Sequence, residues 1–182
     1  MGYLPDFTPF PYKKLIRNLR ERETDMKAIY IESAKQVGIR DIPHPVIRED
    51  EVLLRVKYCG ICGSDLHVFR GLHAFRKPPV IPGHEVVGEV CQTGSAVKKL
   101  QVGDIVAVLP KIMCGHCEMC KRGIPEQCLN KIQPGTEKWI VGFVEYFPVP
   151  EAFAYRLPDS LDALTGSLAE PLGGTLTFIL TL

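Results

Sequence analysis

The chain has 182 residues, 46% hydrophobic and 24% charged, and its 22 Lys and Arg against 21 Asp and Glu leave a net charge of +1. That composition is ordinary for a folded globular domain and excludes a disordered or collagen-like chain; the near-neutral balance, with no dense basic face, argues against a nucleic-acid partner. The length suits one well-filled core, since domains run to roughly 100–200 residues, and the longest apolar run, Leu172 to Leu182, falls well short of the ~20 residues that span a bilayer.

Residues 1–25 begin with Pro5, Pro9 and Pro11 and end in a charged stretch that includes Lys13, Lys14, Arg17, Arg20 and Arg22. No apolar core or small-residue cleavage site accompanies the basic patch, so the segment is expected to be an extension outside the fold and the protein to be cytoplasmic. From Met26 the pattern becomes β-like. MKAIYIES, EVLLRVKYCG, HEVVGEVC, DIVAVLP and GFVEYFPVP are short apolar or alternating runs closed by Gly, Pro, Asp or Ser. Several such strands at close intervals predict a mainly β barrel or sandwich over 26–160. Two helical pieces are expected: a short turn around Ser64 to Phe69, and a segment after Asp159–Ser160, where either residue can serve as the N-cap. Residues 161–182 read as the start of a helix that leads onward.

The strongest chemical signal lies in the loop 111–130, where Cys114, Cys117, Cys120 and Cys128 are spaced C-x2-C-x2-C-x7-C. Thiolates at this spacing converge on one point, and four of them complete the closed tetrahedral shell of a structural zinc site. The shell carries a net charge of −2, which Lys111, Lys121 and Arg122 are placed to offset. His116 is the rival ligand, but a full set of cysteines leaves it as a loop residue. With no signal peptide, clustered cysteines favour metal over disulfides.

A sparser set comprises Cys62 in GICGSDLH, His84 in PGHEVVGEV and Glu170 in LAEPL. One Cys, one His and one carboxylate leave a fourth position open on zinc, which is the catalytic arrangement. Taken singly, a Cys is usually buried packing and a Glu usually solvated. Cys59 and Cys91 fall in strand-like runs and read as packing. Phe69, Phe75 and Trp139 are candidates for the apolar walls of a pocket.

The segments GICGSDLH, PGHE, the four-cysteine loop, GFVEYFPVP and the LPDSL…AEPL tail occur in the order seen in zinc-containing medium-chain alcohol and polyol dehydrogenases, which the chain resembles from Met26 to about Leu172. The resemblance implies a GroES-like barrel carrying two zinc ions, one structural and one catalytic. It implies Cys62, His84 and Glu170 as the catalytic ligands and Ser64 as the first member of a proton relay that His67 extends. Asp65 is similar to the carboxylate that orients the ligand histidine, a sensible role because a metal-bound imidazole donates its other N–H. Glu85 stands beside His84 either as an alternative ligand or behind the ligands. Glu-Pro at the third ligand position places the chain nearer the sorbitol, butanediol and threonine dehydrogenase branch.

Such a site favours loss of the hydroxyl proton from a bound alcohol, after which hydride passes to NAD or NADP. The family's Rossmann domain is expected to be absent from this chain: no G-x-G-x-x-G succeeds a strand, and Gly173–Gly174 has no strand before it. Two readings stand side by side. One is the catalytic domain of an alcohol or polyol dehydrogenase, homo-oligomeric at full length; the other is a truncated, non-catalytic zinc-binding module. The apolar tail TLTFILTL predicts poor solubility or self-association.

Overall fold

The computed structural model describes residues 25–132 and 142–180, and the side chains up to residue 176. Trp139, the final two residues and all but the last residue of the expected N-terminal extension lie outside them.

Among the described residues the fold is mainly β. β1 (Asp25–Ser33) and β2 (Gln36–Pro43) form an antiparallel hairpin. β3 (Glu51–Gly60), β4 (Glu85–Thr93), β5 (Ile105–Val108), β6 (Tyr146–Pro150) and β7 (Ala154–Arg156) form a curled sheet in the order β6-β3-β4-β5-β7, with every pairing antiparallel. Isolated bridges from Ala28 to Val144 and from Ile31 to Val80 tie the hairpin to this body. Helices are short: α1 (Gly63–Phe69), α2 (Glu118–Lys121), α3 (Ala163–Gly166) and α4 (Ala169–Leu180).

β1 forms because its apolar residues alternate: Met26, Ala28 and Tyr30 are buried, while Lys27 and Ile29 face outward. β3 differs, because Glu51 through Leu54 are all buried and both faces of the strand are covered. On one face Val52, Leu54, Val90, Val106, Phe147 and Val149 make the main core. On the other, Val87, Ala107 and Leu157 pack with Ala163 from α3. Each Val, Leu or Phe side chain so buried contributes about 1.5–3 kcal/mol.

Two strands are not evident from the sequence pattern. β2 turns apolar residues outward, with Val37 56% and Ile39 70% exposed, and β7 has only three residues. The cap of α3 also differs from expectation: Asp162 accepts the Thr165 amide at 2.9 Å, whereas Asp159 lies in a turn and pairs with Arg156 at 2.6 Å. Asp162 prevails because it is the residue whose carboxylate falls three positions before a free helix amide.

The topology sets two of the expected ligands side by side. Gly60 at the end of β3 is the register partner of Glu85 at the start of β4, so Cys62, just past β3, and His84, just before β4, meet at one end of the sheet. α1 is held there by Val68, which packs with Ile31 and Val80.

Candidate metal centres and the adjoining cleft

Cys114, Cys117, Cys120 and Cys128 bring their sulfurs within 4.8 Å of one another. Cys114 Sγ lies 3.5 Å and Cys117 Sγ 3.9 Å from Cys128 Sγ. The backbone does the convergence: Cys117 precedes α2, Cys120 lies within it, and the Ile112–Ile132 bridge closes the loop. Amides, led by that of Cys120, lower the Cys117 thiol to about 6. Burial, and then the neighbouring Cys117, push Cys120 up to about 12. Four thiols this close cannot all ionise without a cation between them, and four sulfurs in one cluster fit a closed zinc shell. His116 is exposed, with Nδ1 2.9 Å from the Cys114 carbonyl, and stands outside the cluster. Of the expected basic neighbours, Arg122 pairs with Glu118 at 3.7 Å, and Lys111 acts on Glu170.

The second cluster joins Cys62, His84 and Glu85, whose donor atoms also lie within 4.8 Å of one another, all half-buried. Glu170, the third ligand that the resemblance implies, is outside that group. It lines the same cleft as His84 and feels the charges of His84, Glu85 and Lys111, while burial raises its pKa.

Asp65 is the hinge of the cluster. It is 3% exposed, and its two oxygens face different partners. Oδ2 accepts the Cys62 amide at 3.0 Å; Oδ1 accepts the Gly83 amide at 3.3 Å and lies 3.6 Å from His84 Nδ1. Burial opposes ionisation of Asp65, but His84 and the two amides outweigh it and hold the carboxyl below its usual range. Burial likewise lowers His84, yet Asp65 and Cys62 raise it overall. With Nδ1 turned to Asp65, Nε2 is the nitrogen left for a metal. Gly83 makes the approach possible: its φ is 95°, a conformation that favours glycine, and a side chain there would strike Phe143 and Cys59.

A thiol, an imidazole and a carboxylate in one half-buried cluster fit zinc with a position to spare. The cleft beside them has a volume of about 550 Å³ and is lined by His67, Phe75, Arg76, Lys111 and Glu170, among others. A neighbouring cavity of about 410 Å³ shares Pro110, Lys111 and Glu170 with it and reaches Gly173 and Gly174. Ser64 is half-buried and does not line the cleft, because the Arg76 guanidinium donates to its Oγ at 2.7 Å. His67 is exposed. Phe75 is 91% exposed at the cleft, whereas Phe69 lines a separate apolar cavity with Ile29 and Ile39.

Residues 48–159 match the model of the alcohol dehydrogenase GroES-like domain. The chain belongs to that family. This GroES-like domain is 40% identical over 149 residues to the Arthroderma otae protein called Probable D-xylulose reductase A, covering 79% of this chain and 41% of that protein. It is 38% identical over 151 residues to sorbitol dehydrogenase of Bacillus subtilis, covering 81% and 42%. Among solved structures it superposes on galactitol-1-phosphate dehydrogenase from Escherichia coli with a TM-score of 0.77 at 30% identity, covering 83% of this chain and 43% of that one. The chain thus spans about two fifths of the length of these relatives, two named as dehydrogenases and one as a reductase.

Sequence reasoning named Cys62, Asp65, His84 and Glu85 but assigned nothing to Arg76. Its only signal was a basic residue in an irregular loop, and such residues are usually solvated. Cys59, expected as packing, sits partly buried against the main core with its thiol pushed up to about 12, chiefly by burial. Cys91 is also partly buried, with Sγ 3.3 Å from the Leu53 carbonyl.

Proposed function

We propose that this GroES-like domain is the catalytic half of a zinc-dependent dehydrogenase that oxidises an alcohol or polyol, or reduces the matching carbonyl, with NAD or NADP. The observation that carries the reading is the meeting of Cys62, His84 and Glu85 beside an open cleft that also exposes Glu170. A second zinc at the four-cysteine loop is structural. At full length the protein is a homo-oligomer.

Cys62 and His84 hold the catalytic ion, with Glu85 and Glu170 as the two carboxylates within reach of the remaining protein-ligand position. When bound, zinc supplies a Lewis acid that eases loss of the proton from an alcohol oxygen. Asp65 fixes the His84 ring so that its metal-binding nitrogen faces the cluster. Ser64, which stands behind the cleft, takes the substrate proton through an intervening water and releases its own hydroxyl proton toward His67, exposed at the cleft, which passes it to bulk water. Phe75 offers an apolar surface against the carbon chain. The cavity that shares Lys111 and Glu170 with the cleft would receive a nicotinamide presented by a cofactor-binding half, which would supply the hydride acceptor.

Metal analysis and a cofactor assay test this together. Two zinc ions per chain are expected, with polyol-dependent reduction of NAD or NADP once the cofactor-binding half is joined to the chain. One zinc per chain, lost on replacing Cys120 and unaffected by replacing Cys62, leaves only a non-catalytic zinc module and overturns the proposal.

A further inference from the structure

We infer that Arg76 is a positioning residue of the catalytic cluster, a guanidinium fork that ties the Ser64 hydroxyl and the Asp65 carboxylate into one unit. The inference rests on the reading of Cys62, His84 and a carboxylate as a metal site. Arg76 stands in the irregular segment between α1 and β4, yet its side chain is only 14% exposed. Nη2 donates to Ser64 Oγ at 2.7 Å, and Nη1 lies 3.7 Å from Asp65 Oδ1. That oxygen is the one that faces His84 Nδ1 and the Gly83 amide. One cation therefore braces both the proposed proton acceptor and the carboxylate behind the ligand imidazole.

The segment that carries the fork is itself folded to deliver it. His73 Nδ1 accepts the amides of Phe75 at 3.2 Å and Arg76 at 3.0 Å, which turns the chain so that Arg76 points inward. Arginine has no acceptor, so Ser64 Oγ must accept from it, and the Ser64 hydrogen is directed to another partner. Lysine, a point charge without a planar fork, cannot hold both oxygens in this geometry.

Charge alone and geometry predict opposite outcomes, which makes the inference testable. A cation near the cluster repels a divalent metal, so a purely electrostatic Arg76 would weaken metal binding and its loss would tighten it. A brace does the reverse. Cobalt titration of the 182-residue chain is read from its visible bands, with Cys62→Ser assigning those of the catalytic cluster. Arg76→Gln and Arg76→Lys are each expected to weaken cobalt binding there by about tenfold, in the range of lost partners behind a ligand, and to leave the four-cysteine bands unchanged. In the metal-free chain, the loss of thermal midpoint in Ser64→Ala/Arg76→Gln is expected to be smaller than the sum of the single losses. Cobalt binding that is unchanged or tighter in Arg76→Gln, full rescue by Arg76→Lys, or additive midpoint losses would each overturn the brace. If the wild-type chain takes cobalt at the four cysteines only, the metal-site reading falls, and the metal-free cycle alone decides whether the fork exists.

Discussion

Glu85 reaches the Cys62–His84 cluster over a bare backbone: Gly60 is its cross-strand partner, and a methyl group at that position would overlap the Glu85 carboxylate. Only hydrogen at residue 60 leaves space for that carboxylate to turn toward Cys62 and His84. Gly60→Ala is therefore expected to weaken metal binding at the Cys62–His84 cluster by about tenfold and to destabilise the chain by about 1–3 kcal/mol through overpacking. Competition titration with a coloured chelator, scored separately for the two sites, checks the first effect. An unchanged affinity at the Cys62 cluster would show that Glu85 takes no part in holding the ion.

Asp65 is a buried carboxylate whose partners are two amides, the His84 ring and the Arg76 guanidinium. Asp65→Asn retains one acceptor oxygen but removes the charge, so the imidazole loses the group that orients it. Metal affinity at this cluster is expected to fall about 10–100-fold while the four-cysteine site keeps its metal. Zinc analysis after dialysis against graded chelator measures both.

Cys120 is the buried member of the four-sulfur cluster, together with Cys128. Cys120→Ser is expected to remove one equivalent of zinc and to open the segment between Ile112 and Ile132 to proteolysis, because loop and metal order together. Limited proteolysis with and without added zinc tracks this directly; a variant as protected as the wild type would mean that the loop holds its shape without the ion.

Asp162 caps α3 through the Thr165 amide and hydroxyl, and these bonds hold its carboxyl below the usual range. A depressed carboxylate stabilises the fold at pH values above its unfolded value of ~3.9, and that contribution is lost as pH falls through the lower folded value. Asp162→Asn should flatten this acid limb while keeping most of the cap. Asp162→Ala should lower the thermal midpoint by about 2–4 °C at neutral pH. Melting curves at pH values of about 3 and 7 separate the two.

Much of the site is legible in the sequence because its residues sit in short, spaced motifs. The four cysteines announce a four-sulfur cluster by spacing alone, and GICGSDLH with PGHE carries the family resemblance. The relation of Glu85 to Glu170 is not legible, since it depends on Gly60 pairing with Glu85 across two strands. Arg76 is hidden for a similar reason: its partners Ser64 and Asp65 lie well before it, in α1, and are reached only once the His73 turn has formed. β2 escapes because its apolar residues face outward, and the α3 cap is displaced because three candidate residues, Asp159, Ser160 and Asp162, crowd one turn.

The bond between the Cys62 amide and the Asp65 side chain spans just three residues and starts α1. The thiol side of the Cys62–His84 cluster is thus set by contacts local in sequence, although α1 itself is held by Val68 against Ile31 and Val80. The imidazole side depends on contacts distant in sequence, because His84 is placed by the pairing of β3 with β4. Damage deep in the sheet, at Val52 or Val90 for instance, can therefore silence the site by withholding His84 while leaving the thiol in place.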